Sequence, residues 1–168
     1  DAKVQLLMHA QACDALVDGD RITGVTFQAK SGRFAILADV VIDASGDGDI
    51  FVSAGAEYEK EKVLPWLWFS MGGVENPDEA IRDGGWFFHT IGKDKVLLPW
   101  GATDKISRKI DATDPDDLTY AELECRKQVM AEVDRLRREA PGFKNAYLCH
   151  IADQLGITES RRLVGEYT

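Results

Sequence analysis

The sequence predicts an α/β protein in two parts: parallel, buried-type strands around a three-stranded antiparallel meander over residues 1–57, then an α+β region over residues 58–168. Three observations predict it. Lys3-Val-Gln-Leu-Leu-Met-His9 and Asp39-Val-Val-Ile-Asp43 are apolar runs without strong alternation, the pattern of strands covered on both faces. Between them, Asp18-Gly19-Asp20 and Ser31-Gly32 punctuate three strand-like stretches. Further on, apolar residues recur at helical three- and four-residue steps.

Within the meander the strands are expected at Ala12 to Val17, Ile22 to Gln28 and Arg33 to Leu37. Glycine suits both turns because, lacking a Cβ, it reaches positive φ without a clash. Two buried strands joined through a meander instead of a helix make an unusual crossover, which narrows the fold. The second of them ends in Ala44-Ser45-Gly46-Asp47-Gly48-Asp49, after which Ile50 to Ala54 predicts a short helical segment capped by Asp47 or Asp49.

Past residue 56 the composition changes. Trp66, Trp68, Phe69, Trp86, Phe87, Phe88 and Trp100 crowd together, read as a second core ahead of a substrate-facing layer. Asn76-Pro77 predicts a short helix with Asn76 as cap and proline at its first position, stopped by Gly84-Gly85. The longest helix is expected over Tyr120 to Glu139, opened by the capping box Thr119-Tyr-Ala-Glu122, with Leu118 stapling onto Leu123, and closed by Pro141-Gly142. Leu118, Ala121, Cys125, Val129, Val133 and Leu136 form its apolar stripe; Glu124, Lys127, Asp134, Arg135 and Arg138 form a solvated face. Cys125 on that stripe reads as core, not as a nucleophile.

Composition excludes several classes of function. The chain has 168 residues, 45% of them hydrophobic and 29% charged, enough for one ordinary core, so one domain, or one and part of another, is expected. Twenty basic against 29 acidic residues leave a net charge of −9, which opposes binding to nucleic acid or to an anionic membrane. The longest apolar stretch, Val63 to Phe69, contains a proline and falls far short of the roughly 20 residues a bilayer requires. Three cysteines, Cys13, Cys125 and Cys149, are odd in number and widely spaced, so neither a disulfide framework nor a zinc site is expected, and a reducing, cytoplasmic compartment fits. Starting at Asp1 without a basic-then-apolar leader, the chain reads as an internal segment of something longer.

The acidic, glycine-rich stretch admits two site chemistries. As a calcium loop, Asp43, Ser45, Asp47 and Asp49 stand at ligand spacings, but Ala54 occupies the place of the bidentate carboxylate and a strand, not a helix, leads in. As the rim of a nucleotide site it is a buried strand ending in small residues, which let a cofactor approach the backbone beyond the strand's carboxyl end. Carboxylates would repel phosphates, so on that reading Asp47 and Asp49 hold the turn and the small residues admit the ligand.

Ile42-Asp-Ala-Ser-Gly-Asp-Gly-Asp49 followed by Ala54-Gly-Ala56 resembles the ATGDGD…AGA segment of FAD-dependent oxidoreductases in the glutathione-reductase-like flavoprotein superfamily. Further blocks are similar in the same order: Ser70-Met-Gly-Gly-Val74, the helix with Glu122 and Arg126, Pro141-Gly-Phe143, and Leu155-Gly-Ile-Thr-Glu-Ser-Arg-Arg-Leu163 through Tyr167. The resemblance spans nearly the whole chain. It implies a partial Rossmann-like FAD-binding domain over 1–57 and a substrate or cap domain over 58–168 whose C-terminal end returns toward the first. It also implies FAD as cofactor and flavin-mediated hydride or electron transfer on a small-molecule substrate.

Carried over residue by residue, Ala44, Ser45 and Gly46 lie against the dinucleotide, with serine where threonine is more usual. Asp47 supports the turn. Ala12 stands where a backbone contact with adenine is made, smaller than the usual valine. Glu159 and Arg161 are flavin- or substrate-proximal, with structural ion pairing the alternative for Arg161 and Arg162, while Thr158 replaces the family's arginine. The family's GxGxxG segment and its flavin-closing segment do not occur in these residues, so the chain is expected to hold one wall of the site. No catalytic acid or base emerges: His9, His89 and His150 are the candidates by intrinsic pKa, and nothing in the sequence singles one out.

Overall fold

A computed structural model describes residues 3–84, 87–101, 108–158 and 160–165. The chain divides into two compact units, one of residues 1–61 with 159–168 and one of residues 62–158.

In the first unit, β1 (Gln11–Asp18), β2 (Arg21–Ala29) and β3 (Gly32–Leu37) form an antiparallel meander in the order β1-β2-β3. The turns are those the glycines announce, Gly19 having φ 63° and Gly32 φ 120°. Phe27 and Phe34 sit opposite each other in register and stack at 5.7 Å between ring centroids. A five-residue helix, α1 (Asp49–Ser53), buries Ile50 and is tied to β1 by the Ala15 amide donating to Ser53 Oγ at 2.8 Å. Finally β4 (Tyr58–Lys60) pairs antiparallel with β9 (Arg161–Leu163), from residue 58 opposite 163 to residue 60 opposite 161.

The parallel strands expected at 3–9 and 39–43 do not form, and every pairing among the described residues is antiparallel. A strand is a property of a hydrogen-bonded pair, and neither run has a neighbour. Their apolar side chains accordingly stand in solvent: Leu6 is 80% exposed, Val40 78% and Ile42 87%.

In the second unit, β5 (Trp66–Gly72) is flanked by β7 (Val96–Gly101) and β8 (Tyr147–Ile151), with β6 (Phe88–His89) outside β7, giving the order β6-β7-β5-β8. Strand alternation sends Leu67, Phe69 and Met71 inward, where they meet Cys125, Val129, Val133 and Leu136 of α3 (Pro115–Glu139). The apolar stripe read from the helical period is therefore the core face. Burial pushes the Cys125 thiol pKa up, with the nearby carboxylates of Glu122 and Glu124 adding to it, so this sulfur is packing and not a nucleophile. The aromatic group splits between faces. Phe69 is buried and Phe87 packs on Phe143, while Trp68 meets Phe88 on the other side of the sheet; Trp86 and the Trp100 side chain lie outside the described residues.

α2 (Pro77–Gly84) starts as its sequence announces: Asn76 accepts from the Glu79 amide and donates to the Glu79 carboxylate. The start of α3 differs from the expected capping box. Asp114 is the cap, accepting from the Asp116 amide at 2.9 Å, and Pro115 occupies the first position. Thr119, five residues downstream, lies inside the helix and donates back to the Pro115 carbonyl. The upstream start prevails because Asp117 is engaged as well, accepting from the Asp111 amide and Arg108. Asp114→Ala is thus expected to cost about 1 kcal/mol in thermal unfolding, and Thr119→Ala to lie within about 0.5 kcal/mol of neutral. On the face read as solvated, Arg135 instead covers a buried carboxylate, bonding Glu132 through Nε and a terminal nitrogen at 2.6 Å each.

Candidate functional site

The turn between residues 43 and 49 is organised by Asp43. One of its oxygens accepts from the Ser45 amide at 3.0 Å and from Ser45 Oγ at 2.7 Å; the other accepts from the Phe51 amide at 3.1 Å. Ser45 Oγ in turn accepts from the Asp49 amide at 3.3 Å. Burial alone would raise the Asp43 pKa, but the bonds from Ser45 and the first amides of α1 outweigh it and hold the carboxyl below its ordinary value.

This corrects the expected roles of the later aspartates. The residue capping α1 is Gly48, left-handed at φ 69° and ψ 29°, and no side chain caps there. A Cβ at Gly48 would lie 2.1 Å from the Phe51 ring, so glycine is required twice over. Asp47 is exposed and makes no hydrogen bond or ion pair among the described residues. Asp49 is the first residue of α1 and pairs with Arg161 of β9. The cap function falls to Asp43, six residues before the helix begins. Its signal was the Asp-x-Ser spacing of an Asx turn, in which a carboxylate accepts the amide two residues on.

The candidate residues are placed as follows. Ala44, Ser45, Gly46 and Asp47 are consecutive and exposed, and a Cβ added at Gly46 would meet nothing within 4 Å. The turn therefore offers backbone with open space before it, which suits the close approach of a flat or extended ligand. Ala12 is half-buried on β1 opposite Phe27, on the strand that Ser53 ties to α1. Arg161 has 13% of its side chain exposed, and its Nε is buried without a partner. Its role in the geometry is the ion pair with Asp49. Glu159 lies outside the described residues.

The calcium alternative meets an obstacle in the same contacts. Asp43 is committed to three protein donors and Asp49 to a guanidinium, which takes away the first and last carboxylates of the proposed ligand run. Among the described residues, no group of three or more His, Cys, Asp or Glu side chains is placed to hold a metal ion.

The second unit contributes a clamp that sequence reading missed. Glu122 accepts from the Leu155 amide at 3.0 Å and from Arg126 Nε at 3.0 Å, while Arg126 donates to the carbonyls of Ala152 and Asp153 at 3.1 Å each. One turn of α3 thus fixes the segment 152–155. Nothing local could have shown it, since the partners lie 26 to 33 residues apart. Arg126→Ala is expected to cost about 1 to 1.5 kcal/mol and to speed amide exchange at Leu155; unchanged exchange there would show that Glu122 holds the segment alone. The unit also has a cleft of about 240 Å³ with an apolar floor including Ala80, Phe87 and Phe143 and with Glu75 and Glu79 along it. His9, His89 and His150 are all exposed; His89 stands 3.6 Å from the exposed Asp78. No helix among the described residues is long and apolar enough to cross a membrane.

A family model described as FAD dependent oxidoreductase matches residues 1–83 and 67–168, which together span the chain. Among solved structures, a triple mutant of a flavin-dependent brominase matches with a TM-score of 0.53 and 20% sequence identity, over 94% of this chain. At that identity the likeness concerns the fold. This chain spans 41% of the brominase chain. No curated protein matches it.

Proposed function

We infer the function from the premise the family match supplies: this chain belongs to the FAD-dependent oxidoreductases, whose cofactor is FAD. On that premise its first unit forms one wall of a flavin site. The observation that carries this reading is the exposed Ala44-Ser45-Gly46 turn, shaped from beneath by Asp43 and open at Gly46. The residues fit the group. Small side chains leave the backbone accessible, and two of the three aspartates of the 43–49 turn are engaged, Asp43 by amides and Asp49 by Arg161, while Asp47 stays exposed.

Ala44, Ser45 and Gly46 would hold the dinucleotide through backbone and the Ser45 hydroxyl, Asp47 would border it, and Ala12 would offer backbone beside the adenine. When bound, the flavin supplies the electron acceptor for a small-molecule substrate. The chain's residues bind it, orient it and exclude water. The exposed apolar runs 3–9 and 39–43 suit strands that join a parallel, Rossmann-like sheet when the domain is complete, since Leu6, Val40 and Ile42 are of the type buried there. Residues 58–168 are read as a substrate or cap domain whose C-terminal end returns to the first. Three free thiols support a reducing compartment such as the cytoplasm.

The test uses the protein at the full length of its family. It should purify with flavin absorbance or gain thermal stability from added FAD. Ala44→Leu, a larger side chain at an exposed position, should weaken FAD binding roughly tenfold or more while unfolding stays within about 0.5 kcal/mol of the unsubstituted protein. A colourless protein with no FAD-dependent shift would remove the reading.

A further inference from the structure

The flavin-contacting turn is held from two directions, only one of them local. Asp43 holds it from the preceding residues. From the other side comes Arg161, 112 residues away in sequence, whose terminal nitrogen pairs with Asp49. Asp49 is continuous with the turn in hydrogen bonds: its amide donates to Ser45 Oγ, and Ser45 Oγ donates to Asp43. Because Gly48 brings no capping side chain, the start of α1 rests on Asp43, which accepts from the Phe51 amide, and on the bond from the Asp49 amide to Ser45 Oγ, while the Asp49 carboxylate is held by Arg161.

Arg161 is fixed firmly enough to serve. It sits opposite Lys60 in the β4–β9 pair, and the chain on either side of it is bonded as well: the Glu61 amide donates to the Ser160 carbonyl at 2.9 Å, and the Val164 amide to the Glu57 carbonyl at 3.0 Å. Its side chain is 13% exposed. With Nε buried and lacking an acceptor, the guanidinium relies on Asp49 for its ionic partner. Asp49 is 48% exposed, but a guanidinium with only 13% of its side chain exposed has less freedom than a fully solvated arginine, so it fixes where its carboxylate stands better than a pair open on both sides would.

We propose that Arg161 is a positioning residue for the flavin turn, acting through Asp49 and not by touching the cofactor. This rests on the flavin reading above for what the turn contacts. It makes the shape of the 43–49 turn depend on the later strand β9 being in place. Arginine suits the role because its planar guanidinium keeps its charge and direction where a lysine ammonium would swing.

The experiment measures two things in the full-length protein: FAD affinity, by quenching of FAD fluorescence on titration into apoprotein, and amide exchange at Asp49 and Phe51. Arg161→Met and Asp49→Asn should each weaken FAD binding about tenfold and speed exchange at both amides. Arg161→Lys, the milder change, should fall between. The charge-swapped pair Asp49→Arg with Arg161→Asp should recover most of both losses. Unchanged amides and unchanged affinity in Arg161→Met overturn the proposal. So does a swap that restores the amides but not the affinity, because Arg161 would then be acting on the cofactor directly. Failure of the flavin reading has its own signature, an unsubstituted protein that binds no FAD; the amides of Arg161→Met then decide alone whether Arg161 holds the turn.

Discussion

Asp43→Ala is expected to destabilise the first unit by about 2 to 3 kcal/mol and to abolish measurable FAD binding at micromolar cofactor in the full-length protein. Three donors converge on this carboxylate: the Ser45 amide, the Ser45 hydroxyl and the Phe51 amide. Hydrogen bonds to a charged group contribute about 1.5 to 3 kcal/mol each, but they are not additive, and water can reach the exposed Ser45 once the carboxylate is gone, so the total falls well below the sum. Asp43→Asn separates charge from shape. Its amide oxygen can still accept from Ser45, but its NH2 group faces the Phe51 amide, donor against donor, so an intermediate loss is expected.

The same carboxylate gives an acid dependence with a definite sign. Its folded pKa lies below the ordinary value of 3.8, so the folded state favours the ionised form. Its contribution is complete at neutral pH and above that ordinary value, and it is lost as pH falls through the lower folded pKa. The stability difference between the natural protein and Asp43→Asn should therefore be constant from neutral pH to about pH 5 and shrink below pH 4. A difference that persists at pH 2 would mean the amide clash, and not the lost charge, sets the cost.

How much of this was legible in the sequence follows from how local each signal is. The meander could be read because Asp18-Gly19-Asp20 and Ser31-Gly32 state their turns within a few residues, and both glycines adopt the positive φ that makes them turn residues. The α2 cap is equally local, Asn76 meeting Glu79 three residues on. At α3 two local signals competed, Asp114-Pro115 and Thr119-Tyr-Ala-Glu122, and tertiary contacts decided between them. Glu122 could not close a capping box because it is committed to Arg126 and to the Leu155 amide. The runs 3–9 and 39–43 have strand composition, but composition cannot supply a partner, so no window on the sequence distinguishes a paired strand from an unpaired one. For the candidate site, the glycines and small residues were visible, whereas the Asp49–Arg161 pair leaves no trace at any local spacing.

Gly156→Ala is expected to destabilise the second unit by about 2 to 3 kcal/mol, for a reason unconnected with backbone freedom. Gly156 and Trp66 exchange both backbone bonds, the Trp66 amide to the Gly156 carbonyl at 2.9 Å and the Gly156 amide to the Trp66 carbonyl at 2.8 Å. The indole lies across the glycine: a Cβ at 156 would fall 2.0 Å from Trp66 Nε1 and 2.4 Å from Cε2. Something must move. The segment cannot retreat easily, since Glu122 holds the Leu155 amide and Arg126 holds the carbonyls of Ala152 and Asp153 just before it. The indole must therefore turn away or the bridge must open, and either should change the tryptophan fluorescence of the folded protein. Trp66→Leu in the Gly156→Ala background should recover most of the loss, a coupling that a double-mutant cycle of unfolding free energies would measure. If Gly156→Ala costs nothing, the clamp from α3 is looser than its hydrogen bonds imply, and Arg126→Ala should then be silent as well.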